Sequence, residues 1–216
     1  KAADFDTAVH DMIKEQLAAH RRIIFNGNGY SQAWVDEAER RGLPNLKSMV
    51  EAIPALTTEA SVKMFEEFKV FTKAELESRV EIEYEAYSKA INIEARAMID
   101  MAGKQIIPAA VKYASLLADS LGKVKAACPA ADTSVQEELL LEVSAYLSDM
   151  KVALAALSEA DAKCTAIEGN KERANAFRDE VVPAMVALRD PADKLEMIVD
   201  KEFWPMPSYG DLIFEV

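Results

Sequence analysis

Three groups of residues have the types and spacing from which chemistry is built. Glu77, Glu81 and Glu85 recur at four-residue steps, which sets three carboxylates one turn apart along one helix face. Such a ladder can hold a divalent cation or a basic partner, or it is a solvated acidic face. A di-iron bundle site needs inward Glu-x-x-His pairs. The two histidines, His10 and His20, lie outside the helices that would carry them, so the solvated face is the expectation. The second group is Asn92, Glu94, Arg96, Asp100 and Lys104, set where the chain is apolar on nearly every side. Arg96 and Asp100 stand at i, i+4 and can pair. Two readings stay open for them: a partly buried polar network that fixes the register of an interface, or a flank exposed to water between two apolar faces. The third group is Phe25-Asn26-Gly27-Asn28-Gly29-Tyr30-Ser31. It has the glycine density of a phosphate loop but neither the Lys-Ser/Thr ending of a P-loop nor a full dinucleotide fingerprint. Asn26 to Tyr30 therefore read as a structural loop whose two glycines take positive φ.

No Ser-His-Asp or Cys-His arrangement can be built, so the chain is assigned no catalytic, cofactor-binding or metal-binding residue. Cys128 and Cys164 match no metal or redox spacing, and free thiols in a reducing setting are expected. The net charge of −12 repels nucleic acid and anionic membranes, so neither is expected as a partner. No apolar run approaches the ~20 residues of a membrane span. With no initiator Met and no signal peptide, the chain reads as a piece of something longer.

The elements that must position these residues are helices. Phe5, Val9, Ile13 and Leu17 mark an amphipathic helix over 4–20, and Ser31 opens a short one that Gly42 ends. Further short helices follow at 45–53 and 59–67. At Thr72 the character changes. Thr72-Lys73-Ala74-Glu75 is a capping box, and an apolar stripe runs from Leu76 to Leu116 in steps of three or four. Pro108 lies in phase within it and predicts a kink, with the helix ending near Leu121-Gly122 and a loop over 123–132. Thr133-Ser134-Val135-Gln136 reads as a second capping box, opening a stripe from Val135 to Ile167. A third stripe, Phe177 to Phe203, holds phase across Pro183 and Pro191 and predicts one kinked helix. The fold class is mostly α: a short-helix base over 1–71, an elongated antiparallel bundle of three long helices over 72–203, and a non-helical, aromatic and proline-rich docking tail over 204–216. Strand character is expected at 211–216. Trp204, Tyr209 and Phe214, with Arg96 and Asp100, are the candidate interface residues. The tail is expected to dock, on a neighbouring subunit rather than back along its own bundle.

Four strings carry a family resemblance: HRRII at 20–24 running into FNGNGYS at 25–31, EAERRGL at 37–43, INIEARAMIDMAGKQIIPA at 91–109 and WPMPSYGDLIFEV at 204–216. They resemble the C-terminal region of type III glutamine synthetases. That resemblance implies a longer parent, an ATP-dependent glutamate–ammonia ligase of nitrogen assimilation, using ATP and a divalent metal, Mg or Mn. It implies a cytoplasmic, ring-shaped homo-oligomer. Residues 1–71 then correspond to the closing helices of the catalytic domain, with the rest of that domain as their partner, and 72–203 to an added helical arm. The family's metal, nucleotide and substrate ligands lie upstream of the matched region, so this segment serves scaffold and assembly. The alternative is an independent, non-enzymatic bundle acting as an adaptor or partner-binding module. That alternative gives no reason for FNGNGYS or for short helices without a core of their own.

Overall fold

The computed structural model describes residues 4–214. They are mostly helical, and no strand occurs among them. The chain forms two compact units, Lys1–Glu51 and Ala52–Val216. This boundary precedes the 71/72 division read from the sequence, because the 3-10 turn Ile53–Thr57 packs on the long helix that follows and buries Ile53.

In the first unit α1 spans Phe5–Ala19, with Asp4 as N-cap accepting from the Thr7 N–H at 2.7 Å. Its apolar stripe is present, yet none of its residues is buried. A 3-10 turn, Arg21–Ile23, leads to the loop before α2 (Gln32–Arg40). Gly42 at φ +73° closes α2: its N–H reaches the Glu39 carbonyl and that of Leu43 the Ala38 carbonyl, both at 2.9 Å. The short α3 (Met49–Ala52) spans the division between the units.

In the second unit α4 (Glu59–Glu67) is capped by Thr58. The Thr72/Glu75 capping box forms as read, and opens α5 (Lys73–Met101). The helix does not simply kink at Pro108. Ala102–Ile106 is a π-helical turn, with Ile107 N–H bonded to the Ala102 carbonyl, and α6 (Ile107–Ala127) continues beyond it. Proline lacks an N–H and its ring collides with the carbonyl four residues back, and the wider π turn makes room. The third stripe repeats the device: α8 (Asn170–Ala176), a π turn Phe177–Val181, then α9 (Val182–Glu196) with Pro183 near its start. Pro191 sits inside α9, buried between Leu188 and Leu195.

Four boundaries differ from the sequence reading. Gly122 does not end α6. Cys128 does, because the following Pro129 excludes the helical region for it, and Cys128 takes φ −146°, ψ 92°. The 133–136 capping box does not form. Thr133 precedes α7 (Ser134–Thr165), but its hydroxyl donates to Glu137 at 2.9 Å, while Asp132 accepts from the Ser134 N–H at 2.9 Å. The third helix ends at Glu196 rather than Phe203. Val199 and Phe203 prolong the apolar spacing from turns that pack on the same core. The tail is not strand: Tyr209–Phe214 is α10. Glu215 and Val216, the last residues of the expected strand, lie outside the described residues.

The core of this unit has a seven-residue rhythm. Val143, Met150, Leu157 and Cys164 of α7 are fully buried, as are Val181, Leu188 and Leu195 in and beside α9. Ala95, Ala102 and Ala110 oppose them and let the backbones approach. Met98 and Met185 are half-buried rather than enclosed like Met150. Asn92 meets Asp161 and Thr165, and Lys125 meets Glu137, so α5–α6 and α7 run antiparallel. Lys163 bonds Glu180 at 2.6 Å and Lys194 lies over the Tyr146 ring, so α7 and α8–α9 do as well.

Candidate functional site

The polar residues of α5 gather around a carboxylate that the sequence reading did not single out. Asp161 on α7 is only 6 % exposed. Its Oδ1 accepts from Asn92 Nδ2 at 2.6 Å, and its Oδ2 faces Arg96 Nε at 3.5 Å. Asn92 Nδ2 also reaches Thr165 Oγ1 at 3.2 Å. A carboxylate so enclosed is costly unless paired and hydrogen-bonded, and here both oxygens are engaged. The expected Arg96–Asp100 pair is not made. Arg96 turns to the buried charge across the helix interface, and the exposed Asp100 pairs with Lys104. The signal for Asp161 was available: it precedes Cys164 by three positions and interrupts an apolar stripe with an acid. Its geometry ties α5 to α7 at one register, since a slip of one turn moves Asn92 about 5.4 Å away.

The acidic ladder does not converge on anything. Glu77 pairs with Lys73 at 3.6 Å, Glu81 accepts from Asn170 at 3.0 Å, and Glu85 pairs with Lys89 at 2.6 Å. The Lys89 hydrogen bond holds the Glu85 carboxyl below its ordinary range. Among the described residues no three His, Cys, Asp or Glu side chains stand close enough to hold a metal ion. Both cysteines are free thiols; Cys164 is buried, and burial raises its thiol pKa.

The loop 25–31 is a folded turn. Phe25 stacks on Trp34, ring centroids 4.3 Å apart. Gly27 is required for that approach, because a Cβ there would fall 2.5 Å from the Phe25 ring. Neither Gly27 nor Gly29 takes a positive φ, contrary to expectation. The Asn28 side chain accepts from the Tyr30 N–H at 3.0 Å, and the Ser31 hydroxyl donates to the Asn28 carbonyl at 2.8 Å. Asn26 and Tyr30 themselves are exposed. Arg41 braces the segment: it donates to Glu37 at 2.6 Å and to the Ile24 and Arg22 carbonyls at 2.6 and 3.2 Å. Hydrogen bonds from Arg40 and Arg41 hold the Glu37 carboxyl down to about 2.

The tail divides in two. Trp204 and Met206 pack against the bundle core, and Phe203 lies 6.0 Å from the Tyr113 ring. Beyond them α10 leaves Tyr209 and Phe214 at 86 % and 80 % exposure, with Leu212 and Ile213 also in the open. Ser208 and Asp211 form a reciprocal cap at 2.8 and 3.2 Å. Lys201 anchors Asp211 at 2.6 Å, and its hydrogen bond, with those of Ser208, brings the Asp211 carboxyl down to about 2. Ser208-x-x-Asp211 is the helix-start signal that the sequence reading passed over.

The sequence profile of the glutamine synthetase C-terminal domain matches residues 8–125. The chain belongs to the glutamine synthetase family. It is 35 % identical over 213 residues to a glutamine synthetase of Bacteroides fragilis, covering 97 % of this chain and 29 % of that protein. It is 33 % identical over 221 residues to a type-3 glutamine synthetase of Dictyostelium discoideum, covering 99 % of this chain and 30 % of that protein. A glutamine synthetase of Butyrivibrio fibrisolvens is 33 % identical over 208 residues, 96 % of this chain and 30 % of its own length. The chain thus spans under a third of the length of the relatives it matches. The profile covers the 25–31 loop and the Asn92–Arg96 segment but stops short of Asp161 and of the tail.

Proposed function

We propose that the chain is the C-terminal portion of an ATP-dependent glutamate–ammonia ligase, and that its own work is scaffold and assembly. The observation that carries this reading is the match over residues 8–125, within relatives named glutamine synthetase that are each over three times as long. In this reading residues 1–71 close the catalytic domain of the parent, and the bundle of long helices over 72–203 is its arm. The parent is cytoplasmic and supplies the ligands for ATP and for Mg or Mn. The exposed stripe of α1, with Phe5, Met12, Ile13 and Leu17 all uncovered, supports a docking partner in the rest of that domain. Tyr209 and Phe214 on α10 support contact with a neighbouring subunit of a homo-oligomer, Arg96 and Asp100 lying at the edge of the arm. The adaptor reading draws on the bundle core, which closes without outside help.

Two measurements test this reading. The parent protein should form glutamine from glutamate, ammonia and ATP, and the 216-residue chain alone should not. Transfer through a phosphoryl intermediate needs cationic clamps and metal ions that this segment does not assemble. Glutamine formation by the segment alone defeats the scaffold reading. An unchanged rate and assembly size in a parent lacking 72–216 favours the adaptor.

A further inference from the structure

A small cavity of about 100 Å³ lies where three helices meet beside the end of α7. Ser88, Lys89 and Asn92 of α5 line it, with Thr165 of α7, Arg173 of α8 and Phe177. In a chain of net charge −12 this lining carries two cations and no carboxylate. Its groups are held in place. Ser88 is buried and donates to the Tyr84 carbonyl at 3.0 Å. Arg173 Nε donates to the Ile167 carbonyl at 2.9 Å, which fixes the guanidinium and leaves its two terminal nitrogens. Thr165 accepts from Asn92, so its own hydrogen remains to donate. Lys89 gives one of its three hydrogens to Glu85. The nearby Asp161 carboxylate is already engaged by Asn92 and Arg96. Phe177, almost fully buried, supplies an apolar wall that limits screening.

We propose that this cavity binds a small oxyanion of the size of inorganic phosphate or a short carboxylate. The Arg173 fork would grip two oxygens, Lys89 would add a second positive charge, and Thr165 would donate a neutral hydrogen bond. The site does not depend on the ligase activity of the parent.

The test is a titration of the isotope-labelled 216-residue chain with sodium phosphate, sodium acetate and sodium chloride at matched ionic strength, followed by NMR. The Arg173 Nε–H and the amides of Ser88, Asn92 and Thr165 should shift saturably with phosphate or acetate and not with chloride. The tighter of the two names the ligand class. Arg173→Gln should weaken binding about tenfold or more, through the loss of the charge-assisted fork. Lys89→Gln should weaken it less, since Glu85 already shares that ammonium. Arg189→Gln, which removes a charge outside the cavity lining, should change nothing. Should Arg173→Gln fail to fold for want of the Ile167 bond, Arg173→Lys and Lys89→Gln carry the comparison. The proposal is overturned by equal shifts with chloride, by unaltered binding in the folded variants, or by no saturation below about 100 mM anion.

Discussion

Helices α1 and α7 carry apolar stripes of equal regularity and meet opposite fates. In α7, Val143, Met150, Leu157 and Cys164 vanish into a core made by the same chain. In α1, Phe5, Ile13 and Leu17 stand in the open and no residue is buried. Periodicity therefore states which face of a helix wants cover, and is silent on whether the cover comes from the same compact unit. In α7 the answer lies within the chain, as a complementary seven-residue rhythm in α9 and a row of alanines on α5 and α6.

The comparison is sharpest at single side chains. Leu157→Ala should cost roughly 2–5 kcal/mol, because a cavity opens in a region with little freedom to collapse. Thermal or urea unfolding of the chain checks it, and a change as small as a surface substitution would mean that the α7 stripe does not face a core. Asp161→Ala comes next. It leaves the Asn92 amide with Thr165 alone and takes the buried partner from Arg96, and since Arg96 is mostly solvated the expected loss is about 1–3 kcal/mol. A double-mutant cycle with Asn92→Ala isolates the pair, and a coupling near zero would remove its role in register. Gly27→Ala should push the Phe25 ring off Trp34, read as a change in Trp34 fluorescence in a Trp204→Phe background. The unfolding midpoint of the bundle should stay where it is.

Acid should act on the ion-paired surface carboxylates. Glu37 and Asp211 have folded pKa values of about 2, below their ordinary 4.5 and 3.8. The stability they contribute is complete above those ordinary values and is lost as pH falls toward 2. Melts between pH 5 and about 2 should show that loss, and Glu37→Gln should flatten its own share. The smallest effect belongs to α1. Ile13→Ser should move stability by no more than about 0.5 kcal/mol in this chain. A large drop in the parent protein but not here would show that α1 is covered by residues beyond this segment.

Much of this was legible in the sequence, and the exceptions share a cause. Thr72-x-x-Glu75 and Gly42 announced helix ends because caps are local chemistry, made within five residues. The stripes of the long helices announced most of the core-facing positions for the same reason, although Leu116 and Val135 within them stay exposed. What failed depended on competition. Arg96 had two acids within reach and chose the buried one on another helix. Val199 and Phe203 kept helical spacing without helical backbone, because turns can pack on the same core. Gly122 looked like a stop, but a glycine ends a helix only where the chain turns left-handed, and here Pro129 made the stop six residues later. The tail looked like strand because Leu212-Ile213-Phe214 is apolar, and the local cap at Ser208 and Asp211 outweighed that preference.

The π turn at Ala102–Ile106 has a consequence for how the two ends of the long helix are aimed. Residues 102, 106 and 110 are all buried, and steps of four on an α-helix creep round its axis by about 40° each. A turn holding more residues takes up that creep, so Tyr113 and Leu117 still point at the core far beyond it. The segment acts as an azimuth setting. Removing a single residue from it would leave both halves helical while swinging everything beyond by about 100°, and the face now turned to α7 would look out to water. The orientation of some twenty residues of α6 thus rests on the length of five.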